Sequence, residues 1–226
     1  MFSTQLKRAT VLLRRGSWRR VLRAVRRRLY SETVSYGLVR DLARPLEPRS
    51  ARVPLSIRPL RASDVPDLLD MKAPGLSGDE VFQRQHQLEL VQLEIPTCYV
   101  AVTQDDRPCY MQWLIYATEN PTIREAFHGH IPPLAPDEVL LEGAYTPEAH
   151  RGQGIMALAM ARIAEQAAPM GARRAITFVL VDNIPSLKGC YRAGFFPSLV
   201  RRNRWRLFRS HTTFSPLAPD AAPGIT

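Results

Sequence analysis

The sequence predicts a mixed α/β fold: a largely antiparallel central sheet flanked by helices, preceded by a basic amphipathic helix. Three observations carry this. Short β-branched and aromatic runs at 97–103, 109–117, 139–145 and 174–181 alternate with helical periodicity at 78–93, 154–168 and 183–194. The chain has 226 residues, 45% of them apolar and 23% charged, a globular composition that excludes a wholly disordered chain. The net charge of +10 sits in one place, because residues 1–31 hold ten Lys or Arg and no acid, leaving 21 residues of each sign in the rest.

In that basic segment Leu6, Ala9, Leu13, Trp18, Val21, Leu22, Val25 and Leu29 recur every three to four residues, the pattern of an amphipathic helix. Pro45, Pro48 and Pro54 then argue for a linker from Arg44 to Pro54. These features divide the chain into an arm and linker at 1–52, a folded domain at 53–209 and a disordered tail at 210–226 that carries Pro216, Pro219 and Pro223. No stretch reaches the roughly 18 consecutive apolar residues of a membrane span, and no secretory apolar core follows the N-terminus. Cys98, Cys109 and Cys190 lack the paired spacing of a zinc site or a disulfide framework, so they read as reduced thiols in a cytosol-like compartment, with no metal expected.

The domain elements follow in order. Leu55–Pro59 alternates as a strand, and Ser63 caps a short helix through Met71. A helix over Gly78–Leu93 precedes a hairpin of strands 97–103 and 109–117. Pro121, Gly129, Pro132 and Pro133 make 120–136 a long loop. A strand at 139–145, a helix at 154–168 stopped by Gly171, and a strand at 174–181 lead to a helix from Asn183 to Gly194 and a last strand at 200–208.

Chemistry concentrates in Thr146-Pro-Glu-Ala-His-Arg-Gly-Gln-Gly-Ile-Met156, between a strand and a helix. Two glycines one residue apart at a helix start let backbone approach a ligand closely, and the free amides and positive dipole end favour a phosphate. A plain turn before a helix is the bland alternative. A dinucleotide fold is a further competitor, since Gly152-Gln-Gly154-Ile-Met-Ala157 fits G-x-G-x-x-G/A. Against it, Pro147–Arg151 separate the glycines from the strand, only 72 residues follow Gly154, and Asp182 lies 28 residues on where an acid at about 20 is expected.

Arg151-Gly-Gln-Gly154-Ile-Met156 resembles the R-x-x-G-x-G/A loop of the GCN5-related N-acetyltransferases. Asn183-Ile-Pro-Ser186-Leu-Lys-Gly-Cys-Tyr191-Arg-Ala-Gly194-Phe195 resembles that family's N-x-x-[SA]-x-x-x-Y-x-x-x-G-F signature, read with Tyr191 as the tyrosine. The likeness is clearest over 138–196, plausible from Leu55, and absent from the arm and tail; Met156 stands where the family usually has Gly or Ala. The resemblance implies acetyl-coenzyme A as co-substrate and a primary amine, on a small molecule or peptide, as acceptor. It implies that the pyrophosphate lies on Gln153, Gly154, Ile155, Met156 and Ala157, with Gly152 and Arg151 beside them. Asn183 and Ser186 are then expected near the pantetheine arm, Tyr191 as the acid, and the backbone of Ala144, Tyr145 and Thr146 along the thioester, where an amide polarises the carbonyl. Glu142 is the expected base, nine residues before Arg151, with Glu138 as the alternative and His150 and Tyr145 as minor candidates.

The expected activity is therefore N-acetyl transfer by direct attack in a ternary complex. The competing expectation is an inactive domain of this kind serving the arm, whose ten basic residues suit anionic lipid and, less well given the apolar stripe, nucleic acid. The protein is expected in the cytoplasm, with peripheral membrane contact through residues 1–30. An Arg-rich, acid-free start also resembles an organelle transit peptide. Oligomeric state is not legible.

Overall fold

A computed structural model describes residues 26 and 28–217. Its strands are β1 (Tyr30–Asp41), β2 (Ser56–Pro59), β3 (Cys98–Val102), β4 (Pro108–Tyr116), β5 (Glu138–Tyr145), β6 (Arg174–Leu180), β7 (Phe196–Arg206) and β8 (Arg209–Pro216). The helices are α1 (Asp64–Leu69), α2 (Gly78–Val91), α3 (Asn120–Ala126), α4 (Ile155–Glu165) and α5 (Ile184–Arg192). All eight strands form one sheet in the order β2-β3-β4-β5-β6-β1-β7-β8. Neighbours are antiparallel except β5 and β6. The mixed, mainly antiparallel α/β architecture is the one the sequence predicts.

Each face of the sheet carries a core. On one face Tyr110, Leu114, Leu141 and Val179 pack with α4 and α5 through Ile155, Met160, Ile163, Leu187 and Cys190. On the other, Met111, Trp113, Ile115 and Leu140 pack with Leu68, Leu69, Leu90 and Ile123 from the first three helices. β4 is consequently apolar on both faces, and its first eight residues are all buried.

Three segments depart from the expected elements. Residues 30–41, assigned to the arm, form β1, which lies inside the sheet between β6 and β7 and is antiparallel to both. Arg40 on β1, 4% exposed, locks it further by donating to Ala161 O on α4 at 2.8 Å and to Glu165 at 2.6 Å. Residues 209–216, placed almost wholly in a disordered tail, pair with β7 as β8. Part of the expected loop 120–136 is helical, since Asn120 clamps it through Leu134, donating to its carbonyl at 2.9 Å and accepting from its N–H at 2.8 Å. The amphipathic periodicity of 6–29 falls almost entirely outside the described residues.

Beyond β1, residues 42–55 carry no regular strand or helix, but they are packed in place. Leu42, Leu46, Ala51 and Val53 rest on the first core, and Arg52 N donates to Gln153 O at 2.9 Å. No helix among the described residues is long and apolar enough to cross a membrane.

Candidate active site

The site begins where β5 and β6 stop pairing. They are parallel partners only at Glu138–Arg174, Val139–Ala175 and Leu140–Ile176, after which they splay. A cleft of about 480 Å³ opens there, lined on one side by α2 (Phe82, His86, Gln87) and on the other by α4 and α5 (Met160, Asn183, Cys190). The opening therefore joins the two faces of the sheet.

The floor is shaped by a bulge. Met111 pairs with Tyr145 and Trp113 with Glu142, so Gly143 and Ala144 together oppose Gln112. Gly143 has φ +66, and a Cβ there would lie 2.7 Å from Leu90 Cδ1 and 2.8 Å from Trp113, so only glycine fits. The bulge puts Glu142, Gly143 and Ala144 on the cleft wall.

Glu142 is half-buried and accepts from Gly143 N at 3.1 Å. Burial pushes its carboxyl above the usual range, opposed by that N–H and by the charges of Arg201 and His86. Arg201 is held by His130 O at 3.0 Å and Ser35 Oγ at 3.1 Å and lies over the Phe178 ring, 4.6 Å from its centroid. Glu138 does not reach the cleft. It sits at the closed end of the β5–β6 pair, bonded to Ala135 N at 2.9 Å and to Arg174 at 3.2 Å.

At the other end of the cleft the chain turns through Gly152 and Gly154, at φ +74 and +78, into α4. No atom lies within 4 Å of a Cβ built on Gly152, while Ser50 and Ala51 run beside Gly154, with Ala51 Cα 3.5 Å from its Cβ position. The first amides of an eleven-residue helix have no partner within it, so this turn suits an anion such as a phosphate. Met156, Asn183 and Ser186 reach from here to the cleft wall. Asn183 also caps α5, accepting from Ser186 N at 3.2 Å, so one residue both lines the cleft and caps the helix.

Two expected roles change. Arg151 does not point its charge at the glycine turn. Its guanidinium donates to Glu80 Oε2 at 2.5 Å, Gln83 Oε1 at 3.2 Å and Thr146 O at 3.0 Å. Glu80, fully buried, also accepts from Arg84 at 3.3 Å and from Tyr145 Oη at 2.5 Å. Burial alone would raise the Glu80 carboxyl, but Tyr145, Arg151 and Arg84 outweigh it and hold it below the usual range. Burial first, and Glu80 second, push the Tyr145 hydroxyl up to about 12, which removes it as a base. His150 lies elsewhere, in a surface pocket with Asp67 and Arg107.

The second change concerns Tyr191. Seven residues after Asn183 and four before Gly194, the family's tyrosine position is Cys190, not Tyr191. The geometry agrees with that count. Cys190 lines the cleft, with its sulfur 3.8 Å from Met160 Sδ. Tyr191 is one residue round the helix, edge-on to Phe196 at 5.7 Å, and its hydroxyl is buried without a partner. Burial raises the thiol of Cys190 to about 12, so it stays protonated.

Sequence reasoning missed Gln87, His86 and Gln112, which all line the cleft. A signal existed for Gln112, a polar residue inside the apolar run 109–117. Among the described residues no group of three or more His, Cys, Asp or Glu is placed to hold a metal.

A profile of the Acetyltransferase (GNAT) family matches residues 79–195, just over half of the chain, and the protein belongs to that family. No curated protein matches the sequence. Among solved structures, a GNAT-family acetyltransferase from Colwellia psychrerythraea is similar at 14% identity, with a TM-score of 0.50, covering 77% of this chain and 56% of that one. A Drosophila protein is similar at 16% identity and a TM-score of 0.50, covering 85% of this chain and 58% of that one. These likenesses concern the fold, and the chain spans a little over half the length of both structures.

Proposed function

We propose that this protein is an acetyl-coenzyme A-dependent N-acetyltransferase acting on a primary amine by direct attack in a ternary complex. The observation that carries the reading is the cleft at the β5–β6 splay, with Glu142 on the α2 side and Met156, Asn183 and Ser186 on the α4–α5 side, Met156 lying two residues after Gly154 of the glycine turn. When bound, acetyl-coenzyme A supplies an acyl carbon and a sulfur that keeps the electron pair of the broken C–S bond.

Glu142 accepts the proton that the amine gives up as its nitrogen bonds to that carbon. Gln87 Oε1, buried and without a partner, lies on the same side of the cleft and accepts a second N–H, which orients the nitrogen. The amides of residues 153–157 and the positive end of α4 hold the phosphates. The Ala144 amide, in the bulge, faces the thioester carbonyl. Arg151 acts at one remove, tying the start of the turn to α2 through Glu80. Tyr191 takes no proton role. A thiol's ordinary pKa, near 8.5, lets the sulfur leave without a strong acid.

Cys190 in the tyrosine position also favours a second reading, an acyl-coenzyme A-binding domain that does not turn over. One experiment divides them: calorimetric titration of acetyl-coenzyme A, then thiol release with a panel of small amines, amino sugars and peptides. Binding with amine-dependent release supports the first reading. Binding without release for every amine supports the second, and no binding removes both.

A further inference from the structure

We propose that the side-chain amide of Gln112 is the donor that grips and polarises the acyl carbonyl oxygen, so that the acyl site is built by a glutamine in the middle of β4. This rests on the acetyltransferase reading above and adds a residue to it.

Gln112 is 0% exposed and lies on the cleft wall, yet its Nε2 is buried with no partner. A buried amide left unpaired is costly, and native structures keep few of them. The orientation is fixed by its neighbour. Tyr110, also 0% exposed, must place its single hydroxyl proton, and it donates to Gln112 Oε1 at 2.8 Å. With Oε1 committed to the core, Nε2 and its protons are left for the cleft.

Position selects what meets them. Gln112 shares a face of β4 with Tyr110 and Leu114, which belong to the core under α4 and α5. Glu142 shares its face of β5 with Leu140, in the opposite core. The orphan donor is therefore on the side of the glycine turn, Cys190 and Met160, where the acyl donor is expected, while the base is on the acceptor side. Gln112 also stands opposite the Gly143–Ala144 bulge. A carbonyl oxygen between them would receive one hydrogen bond from a side chain and one from backbone, the two-donor arrangement that stabilises developing negative charge. A glutamine carries no charge and needs no titration, so its contribution is constant with pH.

The test compares binding of acetyl-coenzyme A with S-ethyl-coenzyme A, which has CH2 in place of the carbonyl, by calorimetry and without an amine. Wild-type protein should prefer the thioester by about 100-fold, the worth of two such bonds. Gln112→Met, similar in size and lacking the donor, should cut that preference by about 10-fold, leaving the backbone bond, while the affinity for free coenzyme A stays unchanged. Gln112→Glu, ionised at the pH of the assay and keeping an acceptor for Tyr110, should cut it as much and covers the case in which the Met variant does not fold. An unchanged preference in either folded variant overturns the proposal, as does wild-type protein that binds both compounds equally. Failure to bind either compound, or coenzyme A itself, instead overturns the acetyltransferase reading beneath it.

Discussion

Glu80, fully buried on α2, and Glu142, half-buried on β5 across the cleft wall from that helix, are treated in opposite ways by the protein. Glu80 is given two arginines and a tyrosine. Glu142 is given one neighbouring N–H and two more distant positive groups. The carboxyl of the first is held low and that of the second is pushed high. A buried charge that accepts three hydrogen bonds, two of them from arginines, holds structure together. A carboxylate left short of partners beside an opening has capacity to accept a proton.

The largest effect that tests this contrast is on Glu80. Glu80→Ala leaves Arg84, 9% exposed, and Arg151 without their acid, so it should cost about 3–5 kcal/mol and lower the melting temperature by on the order of 10 °C, read by calorimetry or circular dichroism. A loss below about 1 kcal/mol would break the comparison. Next, Glu142→Gln should lower kcat by about 100-fold or more with the melting temperature unchanged or slightly raised, because it removes a desolvated acid and not a bridge. If the variant kept wild-type kcat, the base would be another group.

The third is a pH profile. Glu142 must be ionised to act and its carboxyl is raised, so the acid limb of kcat/KM should fall above the usual carboxylate range and vanish in Glu142→Gln. Glu80 runs the other way. Its folded-state value is depressed, so its stabilisation is full above the unfolded value near 4.3 and is lost as pH falls through the folded one. The smallest effect is at Tyr191. Its hydroxyl is also unpartnered, but it is turned from the cleft, so Tyr191→Phe should leave kcat within about twofold and stability unchanged or higher. A drop of about 100-fold would restore it as the acid.

How far the sequence revealed this depended on how local each feature is. The glycine turn and the capping asparagine are set by residues adjacent in the chain, and Gly152, Gly154 and Asn183 announce them. At the cleft wall the two sequence signals disagree by one position, since the motif spacing points to Cys190 and the residue type to its neighbour Tyr191. Glu80 was invisible as a structural centre. Three residues after Ser77, whose Oγ accepts from its N–H at 3.1 Å, it looks like an ordinary first-turn acid, and apart from Arg84 its partners lie 65 and 71 residues away. Strands β1 and β8 depend on pairing across the sheet, and their alternation is diluted by exposed polar residues.

The position of β1 has a consequence for how the molecule is made. This strand is made well before its partners, because both of its sheet neighbours, β6 and β7, are encoded more than 130 residues later. The middle of the sheet cannot close until nearly the whole chain has been synthesised, and the contact order is correspondingly high, which favours slow folding. During that wait β1 has neither of its sheet partners.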